Sequence, residues 1–415
     1  MRKLIVAAVA GLAALVLTVP GAFGGATETG VTANTVVIGG TFPLTGIAAS
    51  YAPIPLGMKA YFSYVNARRG PDGKRGVYGR QIVWKYYDDG YNPAQTVQLT
   101  RKLVEQDKVF ADVGSLGTEP CLAVRGYLNA QKVPQVLVST GATELSAQYK
   151  QFPWTIGWQP DYIAEGRYYG IDIRKTLTGQ KIGVLYQNDA YGLDYLYGLR
   201  AALGTNYANT NIVSQQPYDA AAPSVASQVV RIKASGAQVF VIIGLPTQTV
   251  RAIATAKALG YAPSRIYINS VAAIKPATDA MVKLAGIAYV NGIISTSYYL
   301  DPSNPSTANV PAMKLYRQII AKYGSGADAN DPQVMYGVAK GATFVQAMYA
   351  AGKSPTRASL MYALTHMNSK NPFLLPGMVE KTSPTDHFIL SQMLPIWYEN
   401  GVWQPAGKLF DGRPR

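Results

Sequence analysis

The stretch VFADVGSLGTEPCLAVRGYLNAQKVPQVLVSTG, residues 109–141, decides the fold. Val109 to Gly114 is a short apolar run, Glu119 to Gln131 reads as a helix, and Pro134 to Ser139 is apolar on both faces around Val136, Leu137 and Val138. A strand that is apolar on both faces must be covered on both, and strand–helix–strand order supplies that cover in a parallel sheet.

The same alternation extends outward. Upstream, Thr35 to Gly40 reads as a strand, Pro55 to Asn66 as a helix, Gln81 to Tyr87 as a strand and Pro93 to Gln106 as a helix with proline in its first turn. Downstream, strands are predicted at Lys181–Tyr186, Asn211–Gln216, Val239–Gly244 and Ile266–Asn269, with helices at Gly192–Leu203, Val225–Ala234 and Thr247–Ala258. A further strand at Ile293–Tyr298, two long helices near 311–323 and 332–351, and a strand-like tail from Phe388 to Trp403 complete the chain. Two rounds of alternating strands and helices predict an α/β protein with two doubly wound parallel-sheet lobes.

At the N-terminus, Arg2 and Lys3 precede an apolar run from Leu4 to Val19, then Pro20, Gly21 and small residues through Ala26. This is the pattern of a cleaved secretory signal, with residues 1–26 removed after Gly24 or Ala26. The run falls short of the roughly 20 residues that span a bilayer, so an exported protein, periplasmic or extracellular, is expected. Cys121 is the only cysteine of the 415 residues, too far from the signal to be lipidated and unable to form an intramolecular disulfide.

The net charge is +15, but the cations are scattered. The densest group, Arg68, Arg69, Lys74, Arg75 and Arg80, is broken by glycine and proline and reads as a solvated loop, so no nucleic-acid partner is expected. Two histidines and one cysteine make no zinc set. Gly-x-Ser-x-Gly does not occur. Gly352-Lys353-Ser354 lacks the upstream glycine and strand of a phosphate loop, and Gly352 reads as a helix end. Asp88-Asp89 before Gly90 and Asn92-Pro93 reads as turn and helix-cap chemistry rather than a metal pair. No enzyme activity, metal or cofactor is therefore expected.

The ordered segments Pro43-Leu44-Thr45-Gly46, Tyr78-Gly79-Arg80-Gln81-Ile82, Leu103 to Val109, Ser139 to Thr143, Asp189-Ala190-Tyr191-Gly192 and Ala256 to Gly260 carry a resemblance. The chain resembles the type I periplasmic binding proteins of the leucine/isoleucine/valine-binding, branched-chain amino acid family of ABC importers. The resemblance implies two lobes joined by a three-stranded hinge, with a ligand cleft between them. One lobe is placed at 34–157 plus 298–389 and the other at 158–297 plus 390–410, with crossings near 157, 297 and 390. It further implies a small-molecule solute, membrane permease and ATPase subunits as partners, and a monomer. Leu116, Gly117 and Thr118 are expected to hold a ligand carboxylate at a helix start, with Gly141, Ala142 and Thr143 on the other side and Tyr51 and Tyr191 as aromatic walls.

The chain departs from that family where an acidic side chain should follow the strand at 266–269 and pair with a ligand ammonium. The run there is Asn269-Ser270-Val271-Ala272-Ala273. Asp161 and Glu144 are the candidate substitutes. Leaving an ammonium unpaired in a closed cleft is costly, so the expected ligand is a carboxylate or amide without one. A diffusible sensor of the same fold is the alternative. A carrier is the expected role, because no membrane span or signalling domain follows the fold in this sequence.

Overall fold

The computed structural model describes residues 28–413. The predicted signal segment lies outside the described residues. Five strands form the first sheet: β1 (Thr35–Phe42), β2 (Gln81–Asp88), β3 (Ala111–Val113), β4 (Gln135–Val138) and β5 (Thr155–Gly157), in the parallel order β2-β1-β3-β4-β5. The second sheet begins with β6 (Ile182–Gln187), β7 (Ile212–Tyr218), β8 (Val239–Ile243), β9 (Arg265–Ile268) and β10 (Ile294–Ser297), in the parallel order β7-β6-β8-β9-β10. A two-stranded ribbon pairs β11 (Asn368–Ser369) with β12 (Glu380–Lys381). The tail departs from the parallel pattern: β13 (Gln392–Glu399) runs antiparallel to β10, and β14 (Val402–Pro405) and β15 (Phe410–Asp411) pair with it antiparallel.

Every residue of β4 and β8 is buried, as their two-faced apolar sequences require. In each sheet the strand order reverses once, between β1 and β3 in the first and between β6 and β8 in the second. At such a reversal the loops leave in opposite directions and open a crevice at the strand C-termini. The two crevices face one another.

Some helices escape the sequence reading. Tyr162–Thr176 is a 15-residue helix, although Gly166 and Gly170 weaken its intrinsic propensity. Packing explains them. A Cβ on Gly166 would lie 2.2 Å from the Tyr195 carbonyl oxygen, and one on Gly198 would lie 2.1 Å from that of Ile163. The helices Tyr162–Thr176 and Ala190–Leu203 therefore touch backbone to backbone. The first lobe repeats the device: a Cβ on Gly57 would meet the Val334 oxygen at 2.1 Å, and one on Gly337 would meet that of Ile54 at 2.1 Å. This crossing holds the helices Ile54–Ala67 and Pro332–Ala351 together.

The two kinds of helical glycine should respond oppositely to alanine. Gly198→Ala should destabilise by about 1–3 kcal/mol through overpacking. Gly126, inside the helix Thr118–Ala130 with nothing within 4 Å of a built Cβ, should gain roughly 0.5–1 kcal/mol as alanine. Urea denaturation of the two variants checks both signs.

Candidate functional site

Where the crevices meet, a cleft of about 510 Å³, part of it open to solvent, is lined by nineteen residues, seven of them tyrosine and none charged. Tyr51, Leu116, Gly117, Thr118 and Tyr191, all singled out from sequence, line it. Gly117 ends the β3 loop with φ 107°, and a Cβ there would strike the Tyr91 ring at 2.7 Å. Its lack of a side chain lets Tyr91 cover the helix start. The helix Thr118–Ala130 begins there without a side-chain cap, so its first N–H groups remain available as anion donors.

Gly141, Ala142 and Thr143 do not line the cleft; Ser139 and Thr140 do. The register of β4 against β5 shifts between Val136 and Val138, and Leu137 takes φ 54°. Such a bulge re-aims the strand exit. Gly141 then turns beneath Pro160, with its carbonyl accepting from Tyr162 N at 2.9 Å. Ala142 packs with Cys121, Val138 and Leu145. Thr143 instead bridges the lobes, its N–H donating to Asp194 Oδ2 at 2.9 Å.

The lobes also meet through Tyr51, whose hydroxyl donates to Val271 O at 2.9 Å, and through Glu119, which accepts from Ala190 N at 3.3 Å. The segments between the sheets contribute to the cleft themselves. Gln159 follows β5, and Tyr298 and Tyr299 follow β10. Their position next to the predicted crossings is the sequence signal that could have found them. Gln333 and Tyr336 come from the helix Pro332–Ala351.

Hydrogen bonds inside the cleft run in two senses, with some tyrosines donating to the protein and others accepting from amides. Gln159 Oε1 accepts from Tyr336 at 3.0 Å and from Tyr298 at 3.4 Å, while its Nε2 donates to the Tyr162 hydroxyl at 3.0 Å. Gln333 Nε2 donates to Tyr299 at 3.2 Å, and Asn269 Nδ2 donates to Tyr191. The hydroxyls of Tyr162, Tyr191 and Tyr299 thus accept from amides, and among the described residues they have no acceptor for their own protons. Burial pushes all three phenols up, so the protons stay on. These three hydroxyls are donors awaiting acceptors, whereas Tyr51, Tyr298 and Tyr336 already donate to Val271 O and to Gln159.

Neither candidate substitute for the missing acid reaches the cleft. Asp161 caps the helix Tyr162–Thr176 and bonds Thr143 Oγ1, and Glu144 pairs with Arg125 at 3.3 Å. The acid beside the β9 loop is Glu165, which the sequence reading did not single out. It is buried and does not line the cleft; its oxygens accept from Ser270 N and Ser270 Oγ at 2.7 Å each, from Tyr195 at 2.6 Å and from Tyr169. Burial still holds its carboxyl above the usual range against those donors.

Lys340 stands behind the opposite wall and is wholly buried. Its Nζ donates to Ser139 Oγ and, at 3.1 Å, to the Tyr336 hydroxyl. It lies 5.4 Å from the Trp158 ring centroid and 4.5 Å from that of Tyr336. Among the described residues, no carboxylate lies within ion-pair distance of it. Burial pushes its amine well below the ordinary lysine range.

Elsewhere the acids are structural. Asp88 ties down the backbone of Leu44 and Gly90, Asp89 accepts from Tyr91 N, and Asn92 caps the following helix. Among the described residues, no group of His, Cys, Asp and Glu could hold a metal ion. Cys121 is a buried free thiol. No helix among the described residues is long and apolar enough to cross a membrane.

A family profile described as periplasmic binding protein matches residues 35–394, and the chain belongs to that family. It is 24% identical over 267 residues to a protein of Pseudomonas aeruginosa named amino acid binding protein, spanning 64% of this chain and 68% of that one. A fatty acid ABC transporter substrate-binding protein from Thermomonospora curvata shares its fold, with a TM-score of 0.75, 20% identity and coverage of 93% of this chain and 94% of that one. So does a branched-chain amino acid ABC transporter structure from Thermus thermophilus with bound valine, at a TM-score of 0.76, 18% identity and coverage of 91% and 97%.

The contact between Thr143 and Asp194 carries a pH signature. Burial, helped by the charge of Asp161, pushes the Asp194 carboxyl up to about 7 despite the Thr143 amide. In a state with the lobes parted, exposure would return it toward the ordinary value near 3.8. Closure therefore takes up a proton between those values and weakens as pH rises through about 7. Small-angle scattering should find a larger closed fraction at pH 6 than at pH 8, and Asp194→Asn should abolish the difference.

Proposed function

We propose that this protein is the extracytoplasmic substrate-binding component of an ABC importer. It captures a small organic carboxylate or amide lacking an ammonium group and closes over it about the hinge. The observation that carries this reading is an uncharged wall in which three tyrosine hydroxyls, those of Tyr162, Tyr299 and Tyr191, accept from Gln159, Gln333 and Asn269 and are left as donors. A ligand rich in acceptors satisfies them, whereas a ligand ammonium would bring more donors into a desolvated space. The relatives' names support the solute-binding role, and the signal pattern at 1–26 supports export.

In this reading the lobes are 34–157 with 298–389 and 158–297 with 390–410, the protein is a monomer, and a permease and an ATPase complete the importer. The ligand contacts are Tyr51, Leu116, Gly117, Thr118 and Tyr191, joined by Ser139 and Thr140, while Gly141, Ala142 and Thr143 shape the wall from behind.

A thermal-shift screen of the mature chain tests it. A ligand at a hundredfold excess over its Kd stabilises the folded state by about 2.7 kcal/mol. Carboxylates or amides without an ammonium should raise the melting temperature, and leucine and valine should not. A shift with leucine or valine would instead make Glu165, behind Ser270, the partner of the ammonium and would overturn the ligand class.

A further inference from the structure

The buried amine of Lys340 ties the helix Pro332–Ala351 to Ser139 at the end of β4, but among the described residues no carboxylate pairs with it. A fully buried cation without a partner is costly, and natural interiors pair or neutralise it. None of the titratable groups around it forms an ion pair with it. Cys121, on the helix Thr118–Ala130, is held as the neutral thiol by burial. Asp112, on β3, is buried, bonds Ser115 and has its carboxyl pushed up to about 7. Glu380 reaches the Trp158 indole at 3.3 Å but also accepts from Thr343, Asn371 and Ser369. Tyr336, one turn before Lys340 on the same helix, is a phenol that burial keeps protonated.

What the amine does touch are the hydroxyls of two cleft-lining residues. Ser139 Oγ takes its hydrogen bond and passes its own proton to Gly114 O at 2.7 Å. Tyr336 takes another and passes its proton to Gln159. Both hydroxyls can turn those protons toward an anion in the cleft while still accepting from Nζ. The lysine is then one hydroxyl away from the ligand, in a site walled by Trp158 and Tyr336 rings that favour a cation.

Building on the reading of the cleft as an acceptor-binding site, we infer that the solute is an anion whose carboxylate sits against Ser139 and Tyr336, and that Lys340 takes up a solvent proton as it binds. The proton goes to Nζ, no covalent bond to the ligand forms, and the closed complex holds a buried pair of opposite charges bridged by two hydroxyls. This narrows the class from carboxylate or amide to carboxylate. It also links affinity to pH: binding strengthens as pH falls.

The test uses isothermal titration of the mature chain with two matched series, sodium benzoate, phenylacetate and octanoate against benzamide, phenylacetamide and octanamide. Each titration is run in phosphate and in Tris, whose different ionisation enthalpies report protons exchanged. At pH 8 closure moves little proton at Asp194, whose carboxyl is pushed to about 7; an amide that binds sets that baseline, and the excess seen with its carboxylate reports Lys340. The expected result is a carboxylate at least tenfold tighter than its amide, with an additional uptake approaching one proton per ligand at pH 8. Lys340→Met should lose that preference and that uptake; its circular dichroism and melting temperature establish that it folds, and the wild-type proton count stands without it. Equal affinity for amide and carboxylate, no extra proton uptake, or silence from both series would overturn the inference. Binding of amides alone would overturn it and leave the acceptor-binding cleft intact, whereas binding of leucine alone would overturn both.

Discussion

The contact between Gly57 and Gly337 sets the distance on which the cleft of the first lobe depends. With no Cβ on either side, the helices Ile54–Ala67 and Pro332–Ala351 approach until a Cβ would fall 2.1 Å from the facing carbonyl. That approach brings Tyr51 and Ile54 beside Gln333 and Tyr336, all of which line the cleft. Gln333, Tyr336 and Lys340 lie at helical spacing on one face of the second helix. A wider crossing would draw Tyr336 away from Gln159 and Lys340 away from Ser139. Gly166 and Gly198 do the equivalent work in the second lobe, keeping Glu165 within reach of Tyr195 and Ser270.

Tyrosine suits such a site for a physical reason. A buried phenol combines a large apolar body with one hydroxyl that both donates and accepts, and it does not ionise when desolvated. Primary amides here fill the accepting side of Tyr162, Tyr191 and Tyr299 and leave the donating side without a protein partner among the described residues. The polarity of the wall is therefore a property of Gln159, Gln333 and Asn269 as much as of the tyrosines. The ionisable side chains stay one layer back, Glu165 behind Ser270 in one lobe and Lys340 behind Ser139 in the other. Their different surroundings matter more than their signs: Glu165 is saturated by donors from the protein, and Lys340 meets only hydroxyls and aromatic rings.

Five of the eight residues expected at the site from sequence line the cleft, and they share one feature. Tyr51, Leu116, Gly117, Thr118 and Tyr191 lie in loops or first helical turns that follow strands beside the points where strand order reverses. Local order along the chain is enough to find such positions. Gly141 to Thr143 also follow a strand, but β4 stands one place away from the reversal, and a bulge at Leu137 changes which residues leave it facing the cleft. A one-residue irregularity of that kind leaves no periodic signature. Glu165 was illegible for a different reason. Its helix contains glycines that lower helical propensity, and only the neighbouring helix, against which they pack, explains why they are there.

The sequence by itself determined the alternation of strand and helix, the two parallel sheets and the side of each sheet on which a ligand could bind. These follow from apolar period and from the handedness of strand–helix–strand units, which act over neighbouring residues. Only the tertiary structure decided what the cleft asks of its ligand. Whether a tyrosine hydroxyl is a donor or an acceptor depends on which amide meets it from another segment. Whether a lysine has a counter-charge depends on every element packed around it. Gln159 and Tyr336 are 177 residues apart in the chain, and Lys340 and Ser139 are 201 apart. Contacts of that range exist only once the chain is folded.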